Sequence, residues 1–345
     1  MKLPKIPPLH VETMEETTKH VNQLTKPLGS LGQLEQIAIR LAGIQGKKIP
    51  DVSRKAVIVM CGDHGVARSG VSAYPPEVTG LMIHNFVQGK AAINVLARLA
   101  GAEVHVVDVG SYLSEVPKQV INKKVRKGTR HFAEEEAMTE EETIQAIEVG
   151  IEVVEQLKQK GVQLLAVGEM GIGNTTIATA LAAVFTQKSV SELAGRGTGI
   201  NDHALQQKIE VIEAALERHQ PNPDQPLRVL SQLGGLEVAG MAGVYIGAAA
   251  AGIPVMVDGV ISTVAALLAV KMEPSVRNYL FASHLSVEPA HAVLLDALGL
   301  QPIIQAGLRL GEASGAALAF PMFDAAVAIV REMATFADLG LPSPK

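Results

Sequence analysis

The sequence predicts an α/β fold with a mostly parallel sheet flanked by helices, Rossmann-like in arrangement, beside a small helical domain formed by both termini. Two observations predict the sheet: short apolar, β-branched runs end in loops that carry glycine or an acid, and helical patterns separate these runs. Strands that alternate with helices form parallel sheets covered on both faces. A third observation predicts the helical domain, because both ends of the chain have helical patterns and no strands.

Five strands and seven intervening helices follow from these patterns. The predicted strands are Ala56–Met60, Val104–Val109, Leu164–Val167, Pro254–Val257 and Tyr279–Ala282. The predicted helices run from the Pro75-Pro76 pair to about Leu99, and over Thr139–Lys160, Thr175–Phe185, Asp202–Glu217, Val238–Ala251, Gly259–Val270 and Pro289–Leu298. Thr139 and Glu142 have the spacing of a capping box, which predicts where the second of these helices begins.

The two ends of the chain are expected to pack together. Residues 11–45 read as helix with one interruption at Lys26–Gly32, and residues 315–336 read as another helix. We therefore expect a small helical domain of residues 1–45 plus 315–345, beside a large α/β domain of residues 46–314.

Composition excludes several classes of partner. With 30 Lys and Arg against 35 Asp and Glu, the formal charge is −5, and there is no Trp. A net negative charge disfavours the counterion release that drives nucleic-acid binding, and a lack of Trp disfavours base stacking. We therefore expect no nucleic-acid partner. The single cysteine, Cys61, excludes an internal disulfide and a zinc site with several thiolates, and it fits a reducing compartment.

One segment has the length of a membrane span. Residues 238–257 contain twenty residues without a charge. We interpret the run as a buried helix that ends near Gly252 and a short buried strand, because the two together give the same hydropathy as one membrane-spanning helix. The first ten residues also lack the apolar core of a secretory signal. The sequence therefore predicts a cytoplasmic protein with no membrane partner.

Ligands of open α/β sheets bind outside the carboxyl ends of the strands, so the loops there are the candidate sites. The loop from Gly168 to Thr176 has nearly the spacing of a phosphate-binding P-loop, but Asn174 stands where that motif has lysine. Such a loop still binds a monophosphate at the positive end of the following helix. A plain glycine-rich turn is the alternative.

A second glycine cluster and a lysine suggest another phosphate contact. Gly195, Gly197 and Gly199 alternate before a predicted helix, and Lys208 follows one or two turns into that helix. Backbone amides freed by glycine favour anions, as does a nearby lysine. The two glycine clusters together point to a small phosphorylated metabolite as substrate.

Two further patterns admit several interpretations. Asp63-His64 is either an acid–base pair, a pair of metal ligands, or a capping Asp beside a structural His. His284, Glu288 and His291 have the helical spacing of metal ligands, but Pro289 interrupts a single helix there. We therefore expect no metal site.

Glu312 is the candidate general base. It lies in a glycine-flanked turn before the C-terminal helix and is the only acid between Asp296 and Asp324. Removal from water raises the pKa of a carboxyl group and makes it a usable base near neutral pH. A favourable position near a helix N-terminus is the structural alternative.

Several segments, in order over essentially the whole chain, also carry a resemblance. They are KPLGSLGQLE (26–35), GDHGV (62–66), VSAYPPEVT (71–79), GEMGIGNTT (168–176), GRGTG (195–199), DG (258–259), SHLSVEPAH (283–291) and LRLGEASGA (308–316). Together they resemble the nicotinate-nucleotide–dimethylbenzimidazole phosphoribosyltransferase family. The resemblance implies a homodimeric enzyme that transfers phosphoribose from nicotinate mononucleotide to 5,6-dimethylbenzimidazole, without a metal or other cofactor.

The resemblance also implies site residues. It places the catalytic general base at Glu312 and part of the base pocket at Tyr74, Pro75 and Met82. It implies substrate and phosphate contacts at Glu169, Gly171, Gly173, Asn174, Thr175, Thr176, Gly197, Thr198, Gly199, Lys208, Asp258, Ser283 and His284.

The accepting base stays open at this point. Tyr74 and Met82 stand where relatives can have smaller or polar residues, and members of the family use other purines, benzimidazoles or phenolics. The alternatives are a transferase of the same fold with another base, and a non-catalytic nucleotide-binding protein that kept the phosphate loops.

Overall fold

A computed structural model describes residues 1–342, and residues 343–345 of the predicted small domain lie outside the described residues. Its six strands form one parallel sheet in the order β3-β2-β1-β4-β5-β6, which confirms the predicted α/β class. The strands are β1 (Lys55–Gly62), β2 (Ala102–Gly110), β3 (Ile121–Asn122), β4 (Leu164–Met170), β5 (Val255–Val257) and β6 (Leu280–Ala282). Only the two-residue β3 was not predicted from the sequence.

Helices cover both faces of this sheet. They are α1 (Val11–Gln23), α2 (Gln33–Gln45), α3 (Val78–Val87), α4 (Ala92–Leu99), α5 (Glu140–Gln159), α6 (Asn174–Thr186), α7 (Val190–Leu193), α8 (Asp202–His219), α9 (Pro226–Leu233), α10 (Leu236–Ala251), α11 (Val260–Met272), α12 (Pro289–Leu298) and α13 (Ser314–Glu332). The capping box predicted at Thr139 is present, and it opens α5.

The helix predicted from Pro75-Pro76 to Leu99 is wrong as a single element. The structure has two helices there, α3 and α4, separated by a short turn in which Gly89 has a φ of +71°. That left-handed conformation ends a helix, and the side chain of Asn94 accepts from the Ala91 amide to start the next one. The break matters because α3 and α4 then approach the carboxyl edge of the sheet separately.

The strand order creates a crevice at that edge. The chain runs outward from β1 to β2 and β3, and then crosses to β4 on the other side of β1. The segments that follow β1 and β4 therefore diverge, and ligands bind at such a switch point in open α/β sheets. Both central strands are buried along nearly their whole length.

The charge-free run at residues 238–257 divides as predicted. It forms most of α10, turns at Gly252 with a φ of +71°, and continues as β5. Among the described residues one helix, α13, is long and apolar enough to cross a membrane, and 56% of its apolar window is buried inside the protein. Core helices of folded domains meet the same criterion.

The two ends of the chain contact each other. Thr25 donates to the Ala334 carbonyl (3.0 Å) and Phe336 donates to the Gln23 carbonyl (2.9 Å), so the segments after α1 and α13 run side by side. Helix α2 packs against both α1 and α13. Helix α13 also packs on α4 and β4, and its apolar residues belong to the same core as the sheet. The division into two domains stays a prediction.

Helices α5 and α10 pack with their backbones in contact, and glycine permits it. A Cβ atom at Gly243 would lie 1.9 Å from the Ile147 carbonyl oxygen, and one at Gly150 would lie 2.0 Å from the Gly240 carbonyl oxygen. No side chain can move aside to relieve these contacts. The α5–α10 layer therefore covers one face of the sheet only while both positions are glycine.

We predict that Gly243→Ala lowers the free energy of unfolding by about 2 kcal/mol, because the cost of overpacking exceeds the gain in helix propensity. Gly240→Ala is the matched control in the same helix, since its Cβ would meet only the flexible Met60 sulfur at 3.2 Å. Chemical denaturation of both variants tests the difference. Equal stabilities would contradict the close-packing explanation.

Candidate active site

A cavity of about 740 Å³ opens at the carboxyl edge of the sheet. Its walls are the loop after β4, the start of α11, and loops around residues 72, 197, 286 and 309. Eleven predicted site residues line it: Tyr74, Met82, Glu169, Gly171, Gly173, Asn174, Thr175, Gly197, Thr198, His284 and Glu312. The other six do not: Pro75, Thr176, Gly199, Lys208, Asp258 and Ser283. The cavity therefore unites both glycine clusters with the candidate base.

The loop after β4 depends on its glycines. A Cβ atom at Gly171 would lie 2.2 Å from the Gly62 carbonyl oxygen, so only glycine lets this loop pass the end of β1. Gly173 has a φ of +97° and turns the chain into α6, whose first turn carries Thr175 on the cavity wall. The loop thus directs a helix N-terminus at the cavity, where an anion is favoured.

Asn174 does not act as a substitute for the P-loop lysine. Its side-chain amide donates to the Glu169 carboxyl group, which lies on the same cavity wall. Burial, together with the nearby carboxylates of Glu237, Asp258 and Glu312, raises the pKa of Glu169 to about 8, against the lowering effect of the Asn174 hydrogen bond. Glu169 is therefore mostly protonated at neutral pH and presents a neutral carboxyl group to the cavity.

Glu312 lies in a turn with an unusual backbone. Gly311, Glu312 and Ala313 have φ values of +86°, +61° and +64°, and two of these residues carry a side chain. Left-handed conformations at non-glycine residues cost free energy and persist only where the surroundings hold them. One restraint is contact with β4, because a Cβ atom at Gly168 would lie 2.1 Å from the Ala313 nitrogen.

Asp258 is the second restraint on this turn. Its Oδ1 accepts from the Ala316 amide (2.9 Å), and the amides of Gly315 and Ala313 also stabilise its charge. Burial raises the pKa of Asp258 to about 7 despite those amides. The residue lies behind the cavity wall, at the N-terminus of α13, so the structure gives it a supporting contact and no exposure to the cavity.

The Glu312 side chain is buried but not fully paired. It is 7% exposed, and its Oε2 atom has no hydrogen-bond partner among residues 1–342. Burial raises the pKa of Glu312, and the Ile93 amide in the first turn of α4 opposes that rise. An unpartnered carboxylate oxygen in a cavity wall is the geometry that a proton acceptor requires.

Lys208 connects the two glycine clusters from behind. Its ammonium group donates to Thr175 Oγ1 and to the Gly195 carbonyl, each at 3.0 Å. Burial lowers the pKa of Lys208 to about 8, although Glu288 favours its charge. Glu288 in turn accepts from the Gly197 amide at 3.1 Å. The lysine lies outside the cavity lining and places a positive charge beneath Thr175.

The histidine pattern forms no metal cluster in residues 1–342. His284 lies in the loop before α12, and His291 lies within that helix, with its ring atoms bonded to Thr263 Oγ1 and the Ser286 amide. Burial lowers the pKa of His284 to about 4. His284 therefore faces the cavity as a neutral imidazole, with the Ser283 hydroxyl 3.0 Å from its Nδ1.

The Asp63-His64 pair is structural in position, because neither residue lines the cavity. His64 Nε2 lies 2.8 Å from Glu237 Oε1, and both side chains are fully buried. Burial lowers the pKa of His64, but Glu237 and Asp63 together raise it above its ordinary value. Asp63 Oδ2 accepts from the Tyr112 amide at 2.7 Å.

Thr79, to which the sequence patterns assigned no role, joins two walls of the cavity. Its Oγ1 accepts from the Ile172 amide (3.1 Å) in the loop after β4, and its hydroxyl lowers the pKa of the nearby Asp63 against the larger effect of burial. Thr79 is fully buried in the first turn of α3, beside the cavity residues Val78 and Met82. Thr79 is the last residue of the segment VSAYPPEVT (71–79), so the resemblance was the sequence signal that could have pointed to it.

Comparison with known proteins decides the family. A family model described as phosphoribosyltransferase matches residues 6–341. A protein from Citrifermentans bemidjiense, named nicotinate-nucleotide–dimethylbenzimidazole phosphoribosyltransferase, is 50% identical over 342 residues, which cover 99% of this chain and 98% of the relative. This chain belongs to that phosphoribosyltransferase family.

Other members of the family agree. A protein of the same name from Halalkalibacterium halodurans is 50% identical over 96% of this chain and 93% of its own length. The crystal structure of CobT from Thermus thermophilus superposes on this chain with a TM-score of 0.92 and is 44% identical to it. The matched region covers 96% of this chain and 100% of the CobT chain. The family predicted from the motifs, and its α/β fold, are confirmed.

We predict that Thr79→Val lowers kcat/KM for phosphoribosyl transfer by roughly tenfold. The valine keeps the shape but leaves the buried Ile172 amide unpaired and lets the two walls move apart, at a cost of about 1–3 kcal/mol. Thr79→Ser is the matched control because it keeps the hydroxyl. Steady-state kinetics of both variants test this. If the serine and valine variants are equally impaired, the lost hydrogen bond is not the cause.

Proposed function

We propose that this chain transfers the 5-phosphoribosyl group from nicotinate mononucleotide to 5,6-dimethylbenzimidazole. The products are nicotinate and α-ribazole 5′-phosphate, the nucleotide of the lower loop of cobalamin. The observation that carries the proposal is the similarity, at about half of all positions over nearly the full length, to relatives named for this reaction. The cavity supports it, because it combines a phosphate-binding loop with a buried carboxylate.

The phosphate of the donor is bound by the loop after β4. The N-terminus of α6 supplies backbone amides and the positive end of the helix dipole, with Thr175 in its first turn. The ammonium group of Lys208, which touches Thr175 from behind, adds positive charge at the same place. The loop of residues 197–199 forms the adjoining wall through Gly197 and Thr198.

The reaction needs one proton acceptor. The pyridinium of nicotinate mononucleotide is an activated leaving group, so the bond between C1′ and the pyridine nitrogen breaks with its electron pair going to that nitrogen. One ring nitrogen of the benzimidazole attacks C1′ on the opposite face, which converts a β-riboside into an α-riboside. The other ring nitrogen loses its proton to Glu312, whose Oε2 has no hydrogen-bond partner. Positioning of the two substrates supplies the rest of the acceleration.

Burial tunes the two cavity carboxyls for different tasks. Glu312 has a raised pKa and so becomes a stronger base than an exposed carboxylate. Glu169, with a pKa of about 8, is mostly neutral at pH 7 and can donate a hydrogen bond to a substrate oxygen without repelling the donor phosphate. Two carboxyls whose environments differ in this way are typical of acid–base sites.

The acceptor pocket fits a flat apolar ring. Tyr74, Val78 and Met82 form one side of the cavity, and Val260 and Leu310 contribute apolar surface elsewhere on its wall. A purine or a phenol is also flat, so a transferase with another accepting base is the nearest alternative. A non-catalytic nucleotide-binding protein is the second, and the unpaired Glu312 carboxylate favours catalysis over it.

The deciding experiment is nicotinate release from nicotinate mononucleotide, with and without dimethylbenzimidazole, with the products identified by chromatography. We expect release that depends on the base and forms α-ribazole 5′-phosphate. Competition with adenine and with a phenol ranks the acceptors. Release only with another base would replace the acceptor, and no release with any base would favour the binding protein.

We predict that Glu312→Gln lowers turnover by about 10²-fold or more and leaves binding of nicotinate mononucleotide unchanged, since it removes a general base. In the wild-type enzyme the acid limb of kcat/KM should titrate above pH 4.5, because burial raises the pKa of Glu312 and the base works only when ionised. Asp296→Asn, an exposed acid on α12, is the control. Turnover near that of the wild type in Glu312→Gln would overturn the assignment.

We further propose that the protein acts as a cytoplasmic homodimer on small-molecule substrates, with no nucleic-acid or membrane partner. An exposed apolar surface supports self-association. Val95 and Leu99 lie one turn apart on α4 and are 45% and 81% exposed, and α13, which packs on α4, exposes Leu318 at 40%. Val95 and Leu99 thus give α4 an exposed apolar face, and exposed apolar patches are typical of protein interfaces.

We predict that Leu99→Arg shifts the protein from dimer to monomer, because a buried unpaired charge at an interface is costly. Size-exclusion chromatography with light scattering measures the mass. Leu339→Arg is the control, since Leu339 is similarly exposed but lies beyond the other end of α13. A monomeric wild-type protein, or a dimer unaffected by Leu99→Arg, would contradict this proposal.

A further inference from the structure

A second, smaller pocket lies where the terminal helices meet the edge of the sheet. It has a volume of about 200 Å³, and we call it the seam pocket. Helix α2 contributes Gln33, Gln36 and Arg40, and the segment around β6 contributes Arg277 and Phe281, with Gln301 from the loop after α12. None of its lining residues lines the active-site cavity, so it is a separate site.

Arg40 is held in a fixed orientation over this pocket. Its Nη2 donates to the carbonyls of Leu280 (2.7 Å) and Asn278 (3.3 Å), and its guanidinium carbon lies 4.0 Å above the centre of the Phe281 ring. The charge is therefore placed by two carbonyls and an aromatic face, and no carboxylate neutralises it. The Nη1 and Nε groups make no hydrogen bond to the protein within residues 1–342.

Arg277 is fixed in a similar way on the other side. Its Nε donates to the Leu298 carbonyl (2.6 Å), and its Nη2 donates to the Gly299 carbonyl, at the C-terminus of α12. Two guanidinium groups thus face one small pocket, each oriented by main-chain oxygens, and each with donors left over.

Both charges lack a counter-ion in the described part of the chain. No carboxylate lines the seam pocket, and neither arginine forms an ion pair within residues 1–342. Burial and, to a smaller extent, the positive charge of Arg277 lower the pKa of Arg40 to about 10. Partly buried charges without a partner are unfavourable, and planar guanidinium donors match the oxygens of phosphate.

We propose that the seam pocket binds a phosphate group, either as inorganic phosphate or as the phosphate end of a small metabolite. The anion bridges Arg40 on α2 to Arg277 beside β6, and the amides of Gln33, Gln36 and Gln301 line the same space as further donors. Because α2 belongs to the terminal helices and β6 to the sheet, a bound anion ties these two parts of the molecule together. It therefore raises the stability of the fold from a place outside the catalytic cavity.

The test is calorimetric titration with inorganic phosphate at constant ionic strength, and in parallel with ribose 5-phosphate. In the wild-type protein we expect two classes of site, one in the active-site cavity and one at the seam. Gly173→Val crowds the loop after β4 and should remove only the first class. Arg277→Gln should weaken the second class by about tenfold or more, the scale of a lost charge-assisted hydrogen bond. Arg40→Gln should do the same.

Controls separate the seam from the rest of the surface. Arg98 also donates to a main-chain carbonyl, that of Gly89 at 2.8 Å, but its side chain is exposed and lines neither pocket, so Arg98→Gln should keep both classes of site. Arg277→Lys keeps a charge and should retain partial binding if Arg277→Gln fails to fold. All these arginine variants should still release nicotinate, since neither seam arginine lines the catalytic cavity.

Comparing the affinities of inorganic phosphate and ribose 5-phosphate identifies which kind of phosphate the seam pocket binds. Tighter binding of ribose 5-phosphate than of phosphate at the seam indicates a metabolite, and the reverse indicates inorganic phosphate. A single class of site that Gly173→Val abolishes would overturn the proposal, and so would equal weakening in Arg98→Gln and Arg277→Gln.

Discussion

The rest of the active site depends on one backbone contact, between the end of β4 and the turn that precedes α13. At Gly168 there is no room for a Cβ atom, because the Ala313 nitrogen would lie 2.1 Å from it. Asp258 holds the other side of the same turn through the first amides of α13. These two restraints stabilise a left-handed conformation at Glu312 that the residue would not adopt alone. They hold the Glu312 carboxylate at the cavity that the loop after β4 also lines.

Four carboxyl groups are gathered at this edge of the sheet. Glu237, Asp258 and Glu312 lie close enough to Glu169 to raise its pKa, and all four groups are buried. Burial and these neighbouring carboxylates keep Glu169 mostly neutral at pH 7, whereas backbone amides stabilise the charge of Asp258. Part of the folding free energy is thus given up for function, as is common where strained or desolvated groups form a site. A ligand that supplies positive charge or hydrogen bonds relieves this cost.

Local patterns in the sequence predicted the strands, most helices and the loops at the carboxyl edge, because parallel strands and glycine turns are encoded over a few residues. Glu312 was found because it is an isolated acid in an apolar segment.

The break between α3 and α4 was missed, since Gly89 alone does not distinguish a turn from a tolerated helical glycine. Thr79 was missed because its partner, the Ile172 amide, is 93 residues away. Lys208 and Asp258 were predicted as ligand contacts, but both are buried behind the cavity wall and do not line the cavity. Local sequence patterns do not reveal such burial.

The position of α13 in the chain has a consequence for synthesis. The central strands β1 and β4 leave the ribosome early, whereas Glu312 and the helix that anchors it come more than 140 residues after β4. Helices α1 and α2 are synthesised first. Helix α2 packs against α13, and the segment after α1 bonds to the segment after α13, which is one of the last elements to be synthesised. During translation, the apolar surfaces that pack against α13 therefore stay uncovered until α13 has been made. Because these contacts join residues far apart in the chain, they have a high contact order, which slows folding. The loop after β4 is therefore made long before Glu312, so the proposed phosphate site and the proposed base come from parts of the chain that are synthesised far apart in time.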